Sequence, residues 1–185
     1  IFKSQKCLFK ENGKSIINGI NLRAFSVDFD NSSNVYFVDG IEYKIYVFDS
    51  NGNNLRIINN ISKNFTPLKE KAPYPASKNK KFDKWWESWS VITNIYIIKN
   101  KYLLVFFRNG KKFPGIDPLY LDIFTLDGKK IESDIKIPRS LIPIGKDKKG
   151  NIYFTDLKYS NYSNTYFLTN IELISAKLLK YSLAK

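Results

Sequence analysis

The 185-residue sequence has no histidine, no methionine and a single cysteine, Cys7. Without histidine, imidazole general-base catalysis and histidine-held zinc are excluded. One thiol can form neither an internal disulfide nor a multi-thiolate zinc site. Glycine is scarce, with 9 residues, and forms neither a phosphate-cradling loop nor a Gly-x-Ser-x-Gly elbow. No apolar run approaches the roughly 18 residues that a membrane-spanning helix needs. The chain opens at Ile1 without a basic-then-apolar leader, which leaves the compartment open. Lys6 stands where a lipid-attachment site would carry a small residue ahead of Cys7.

What is present points to pleated sheet. The hydrophobic share of 43% supports a packed core, and 16% of the residues are aromatic. The aliphatic residues lean toward Ile and Val, which favour half-buried strands over helices. The formal charge of +13 comes mainly from lysines paired beside turn residues, as in Lys111-Lys112, Lys129-Lys130 and Lys148-Lys149. Such lysines solubilise turns and protect strand edges, and we read no nucleic-acid partner from them.

Self-similarity is the strongest signal. Apolar-x-apolar-Phe, followed four residues after the Phe by Gly and then by an apolar residue, occurs three times: Lys6-Cys7-Leu8-Phe9 with Gly13 and Ile16, Ile45-Tyr46-Val47-Phe48 with Gly52 and Leu55, and Leu121-Asp122-Ile123-Phe124 with Gly128 and Ile131. Asn12, Asn51 or Asp127 precedes the Gly. Each copy predicts a hairpin with a two-residue Asn-Gly or Asp-Gly turn, φ being positive at both central residues. A second unit, Asp30 with Asn34-Val35-Tyr36-Phe37-Val38-Asp39, returns as Asp147 with Asn151-Ile152-Tyr153-Phe154-Thr155-Asp156, a turn entering a strand.

Gly13 and Gly52 lie 39 residues apart, close to the roughly 40-residue period of a four-stranded propeller blade. Read as blades, the chain has outer strands of one blade over 1–17, complete blades over 20–58 and 89–137, and a last blade over 138–183. Residues 59–88, with Pro67, Pro73 and Pro75, form an insertion. The expected fold is all-β: a β-propeller of four-stranded antiparallel blades, about three and a half of them, as a single segment over 1–185.

The chain resembles the NHL-type six-bladed propellers of exported bacterial proteins, through Val27-Asp28-Phe29-Asp30, Asn34 to Asp39, Ile45 to Asp49 with Gly52, and the return from Pro138 to Asp156. The resemblance implies blade architecture and an exported, periplasmic or envelope-associated setting, and no activity. Six blades need roughly 240 residues, so the missing blades are expected from residues ahead of Ile1, from another copy or from another subunit.

The one remaining route to chemistry is an oxygen cage for calcium, for which Asp28, Asp39, Asp147 and Asp156 are the candidates. Aspartates at strand ends more often tie turn amides, so we expect no metal, no cofactor and no catalytic residue. Residues 79–88 predict a short helix. Phe82, Trp85, Trp86 and Trp89 then fall at spacings of three and four on one face, serving either as a buried flap or as anchors for a protein or glycan partner. Lys80, Lys81 and Lys84 would steer an acidic partner. The expected function is non-catalytic binding of a macromolecule through the loops and this insertion. The rivals are a calcium-dependent hydrolase or lyase and a structural part of a larger assembly.

Overall fold

The computed structural model describes residues 16–17, 20–21, 25–69, 80–109, 119–137, 141–159 and 166–174; side chains are described over 25–69, 80–81, 84–85, 87–109, 119–137 and 143–154. The chain is mostly β. A short hairpin of β1 (Ile16–Ile17) and β2 (Ile20–Asn21) precedes a four-stranded antiparallel sheet of β3 (Ser26–Phe29), β4 (Val35–Val38), β5 (Ile45–Phe48) and β6 (Asn54–Ile58). After α1 (Lys80–Trp86) comes a second four-stranded antiparallel sheet, of β7 (Ser90–Ile98), β8 (Tyr102–Asn109), β9 (Leu119–Thr125) and β10 (Lys130–Ile137). The last sheet holds β11 (Leu141–Lys146), β12 (Ile152–Tyr159) and β13 (Tyr166–Ile174). Each sheet is a meander in sequence order, the simplest outcome of short turns between alternating strands.

Two expected boundaries shift. Ile20 and Asn21 pair with Ile17 and Ile16 and do not join the first sheet, which begins at Ser26. The expected helix over 79–88 is shorter at its described end, stopping at Trp86, so Trp89 lies outside it, one residue ahead of β7. The expected strands over 1–15 and 177–183 lie outside the described residues.

The sheets stack. Tyr36, Val38, Ile45 and Val47 of the first sheet share one core with Ile92, Ile95, Ile97, Leu103, Val105 and Phe107 of the second. The other face of the second sheet, through Leu104, Phe106, Leu119, Leu121 and Ile123, packs on Ile152 and Phe154 of the third. The β7–β10 sheet is thus covered on both sides, and β8 buries Leu103, Leu104, Val105, Phe106 and Phe107 in succession. Each such side chain contributes about 1.5–3 kcal/mol when taken from water.

The turns follow one design. Asp30, Asp49 and Asp147 each accept from the N–H groups two and four residues ahead and from the side chain of Asn34, Asn53 or Asn151. Thr125 takes the same place in a fourth turn, its hydroxyl accepting from Lys129 N–H. In all four, the N–H three residues ahead returns to the carbonyl of the first residue. That donor residue is Ser33, Gly52, Gly128 or Gly150, each with positive φ, whereas Asn51 and Asp127 are not in that region. The expected two-residue Asn-Gly and Asp-Gly turns are therefore replaced by three-residue turns ending in a left-handed residue. Asn-Gly and Asp-Gly suit both: the two-residue turn needs positive φ at both residues, which Asn and Asp tolerate, and the three-residue turn needs it only where the Gly stands. Two consecutive positive φ values occur instead at Lys99 and Asn100, between the paired Ile98 and Tyr102, without a glycine.

Candidate functional site

The first strands of the three sheets meet. β7 is an edge strand, so every other N–H along it has no partner in its own sheet. Ile95 N–H donates to Ser26 Oγ at 3.0 Å and Ile97 N–H to Asp28 Oδ2 at 2.6 Å, both from β3. Lys146 of β11 donates to the Ile97 carbonyl at 2.6 Å and forms an ion pair with Asp28. Asp28 and Lys146 are largely shielded from water, where a paired charge counts for more than on an open surface. Three sheets are so pinned at one line by β3, β7 and β11. Beside it, burial and the Asp28 charge push the Tyr96 hydroxyl up to about 12, against the hydrogen bond from Asn94. Of the four candidate calcium ligands, Asp28 is held by Lys146, Asp39 accepts from Glu42 N–H at 3.3 Å, and Asp147 is spent on its own turn. The Asp156 side chain lies outside the described residues. No three His, Cys, Asp or Glu side chains converge among the described residues.

The insertion places its residues on two sides. Trp85 and Trp89 are buried, ring centroids 5.6 Å apart, and the Ser88 hydroxyl and N–H both donate to the Trp85 carbonyl, closing the helix end. Lys80, Lys81 and Lys84 are exposed. The side chains of Phe82 and Trp86 lie outside the described residues. The segment reaching back to the first sheet is fixed by Thr66, whose N–H donates to Ser90 Oγ and whose carbonyl accepts from Ser90 N–H.

Sequence reasoning missed a buried polar cluster. Asp122, on β9, is fully buried and accepts from the Tyr43 hydroxyl and, at 2.7 Å, from Asp134 N–H. Asp134 has φ 60 where the β10 register shifts, and its carboxylate accepts from Ser62 and from Asn64 Nδ2 at 2.8 Å. Burial raises the Asp122 carboxyl, opposed by its two donors; burial also acts upward on Asp134, but the Ser62 and Asn64 hydrogen bonds outweigh it and hold that carboxyl low. The cluster ties the loop of Tyr43 and the segment after β6 to the far strands of the second sheet. Alternation in Leu121-Asp122-Ile123 reads as a solvent-facing Asp; the signal against it is the continuous apolar run on β8, which means that both faces of this sheet are covered.

Comparison with protein-family models, with curated proteins and with solved structures finds no match to this chain.

Proposed function

We propose that the chain is a non-catalytic binding module built as part of a β-propeller, in an exported or envelope-associated setting, and that it contacts an acidic macromolecule through the α1 segment. The observation that carries this is the meeting of β3, β7 and β11 at Asp28, Ile97 and Lys146. Successive meanders, of four, four and three described strands, whose first strands gather on one line while their faces stack, are what a propeller requires of neighbouring blades. The chemistry of the site supports binding over reaction: no histidine exists, and of the four candidate calcium ligands Asp28 is held by Lys146, while Asp39 and Asp147 accept from turn amides. The buried Trp85 in α1 and the buried Trp89 just after it fix the backbone, leaving Lys80, Lys81 and Lys84 outward as a preorganised cationic patch.

The test is photo-crosslinking from position 81 in the source cell, with position 99 as the control. The reading expects one acidic macromolecule captured at position 81 and lost in the Lys80→Glu/Lys84→Glu variant. Equal capture at both positions, or none, contradicts it. A second reading, a structural part of a larger assembly, is favoured by Val27 and Phe29, exposed on β3, and by Phe25, exposed just ahead of it.

A further inference from the structure

We propose that residues 61–66 form a strap on the second sheet that is closed while Asp122 is neutral and opens when Asp122 is charged. The strap runs without regular structure from the end of β6 toward the insertion. Lys130 Nζ donates to the Ile61 carbonyl at 3.2 Å, and Asp134 accepts from the Ser62 hydroxyl and from Asn64 N–H and Nδ2. Asn109 Nδ2 donates to the Asn64 carbonyl at 3.0 Å, and Thr66 and Ser90 exchange two hydrogen bonds. Phe65 is buried, edge-on to Tyr43 and Phe107, with ring centroids 5.1 and 5.6 Å away. Asp122 lies beneath two of these holds. One of its oxygens meets the Tyr43 hydroxyl, which Phe65 covers, and the other accepts from the N–H of Asp134, whose carboxylate holds Ser62 and Asn64.

Asp122 is fully buried and makes no ion pair among the described residues. The titratable groups acting on it are Tyr43, from the loop after β4, and Lys130 and Asp134, from β10. Burial, joined by the Asp134 charge, favours the neutral acid; the Tyr43 and Asp134 N–H donors and Lys130 favour the charged form and are outweighed. Lys130 is itself engaged with the Ile61 carbonyl and the Phe124 ring. The Tyr43 hydroxyl, raised by burial and then by Asp122, stays protonated. The neutral acid fits the site, one oxygen accepting from Asp134 N–H and the other sharing its proton with the Tyr43 oxygen. The charged form needs water. Lifting the strap is the smallest movement that admits it, because it uncovers Tyr43 and frees Asp134, already at φ 60 in a register shift, while the sheets stay stacked. The sign follows from linkage: Asp122 lies above its ordinary 3.8 and Asp134 below it. Opening rises about tenfold per pH unit above 3.8 until Asp122 is fully charged, and rises again below 3.8 as Asp134 loses its charge. The strap is the start of the insertion that carries α1, so on the reading above its opening regulates the cationic patch; the opening itself does not depend on that reading.

The experiment is hydrogen exchange by NMR on the full chain without any partner, at a series of pH values above 3.8, so that its outcome is separate from what α1 binds. The reporters are the Asn64 and Ser90 amides, bonded across the strap to Asp134 and Thr66. Corrected for the intrinsic rate, they should lose protection about tenfold per pH unit and stay less protected than the β8 amides throughout. The loss should level off at the pH where the Asp122 carboxyl carbon finishes titrating. Asp122→Asn, which mimics the neutral acid, should keep the strap amides at one level across the range. Should that chain fail to fold, Tyr43→Phe, which removes a donor to the charged form, should carry the rise to higher pH. Strap amides that are flat with pH beside pH-dependent β8 amides would mean that Asp122 is charged only on global unfolding, and overturn the proposal. Strap amides as protected as those of β8, or an Asp122→Asn chain with the unaltered pH dependence, overturn it as well.

Discussion

The two complete sheets have the same number of strands and the same meander, yet they solve different problems. The β7–β10 sheet is covered on both faces, and its β8 strand is an unbroken apolar run, Leu103 to Phe107, all buried. In the β3–β6 sheet, burial alternates along β4, and β3 exposes Val27 and Phe29. Covered faces demand apolar residues at every position, while a half-covered sheet needs them at every second one. On its other face the β3–β6 sheet is mixed: Val27, Phe29 and Ile57 are exposed, while Phe48, paired with Val35, is buried.

The largest test of this contrast is truncation of the core aromatics. Phe106→Ala and Phe107→Ala each remove a side chain at most 1% exposed, on opposite faces of the same strand. Each should cost about 3–5 kcal/mol in urea unfolding, while Phe29→Ala, at a side chain 56% exposed, should cost less than about 1 kcal/mol. Equal losses at Phe107 and Phe29 would erase the difference between the sheets.

The buried cluster comes next. Asp122→Ala leaves the Tyr43 hydroxyl and the Asp134 N–H without their acceptor in a buried site and should cost about 3 kcal/mol, with Asp122→Asn costing markedly less. The pH profile separates the two carboxyls. Asp134 sits below its ordinary 3.8 in the folded chain, so its contribution is complete above that value and is lost as pH falls through the lower folded value. Asp122 is raised above 3.8, so its contribution is present below 3.8 and is lost as pH rises through the raised value. Unfolding free energy against pH should thus show a decline with rising pH that Asp122→Asn removes and an acid limb that it keeps.

A smaller effect is expected where the two sheets touch at a turn. Gly128 has φ +95, and an added Cβ would approach Ile58 Cγ1 of the first sheet to 2.9 Å. Gly128→Ala should cost about 1–2 kcal/mol. Gly145 has open space around its would-be Cβ and an unremarkable φ, so Gly145→Ala should be nearly neutral by the same thermal melt.

Much of the fold was legible because its signals are local. Asp30, Asn34, Asp147 and Asn151 announce their turns by spacing alone, and Val91 to Phe107 reads as two strands from its apolar content. What was not legible depends on partners distant in sequence. Nothing next to Asp122 in the chain marks it as buried, since its partners are the distant Tyr43 and the Asp134 N–H across its own sheet. Asp28 reads as a strand-end carboxylate, and only stacking brings it to Ile97 and Lys146. In the Trp segment the pattern gave the helix, but the burial of Trp85 and Trp89 against the outward Lys80, Lys81 and Lys84 is a property of where that helix lands.

Hydroxyl-radical footprinting of the native chain tests the central claim most directly, because Phe25, Phe29, Phe106 and Phe107 can be compared in one digest. The account predicts that Phe106 and Phe107, at most 1% exposed, are protected, and that Phe25 and Phe29, 65% and 56% exposed, react. Equal protection of all four would contradict it.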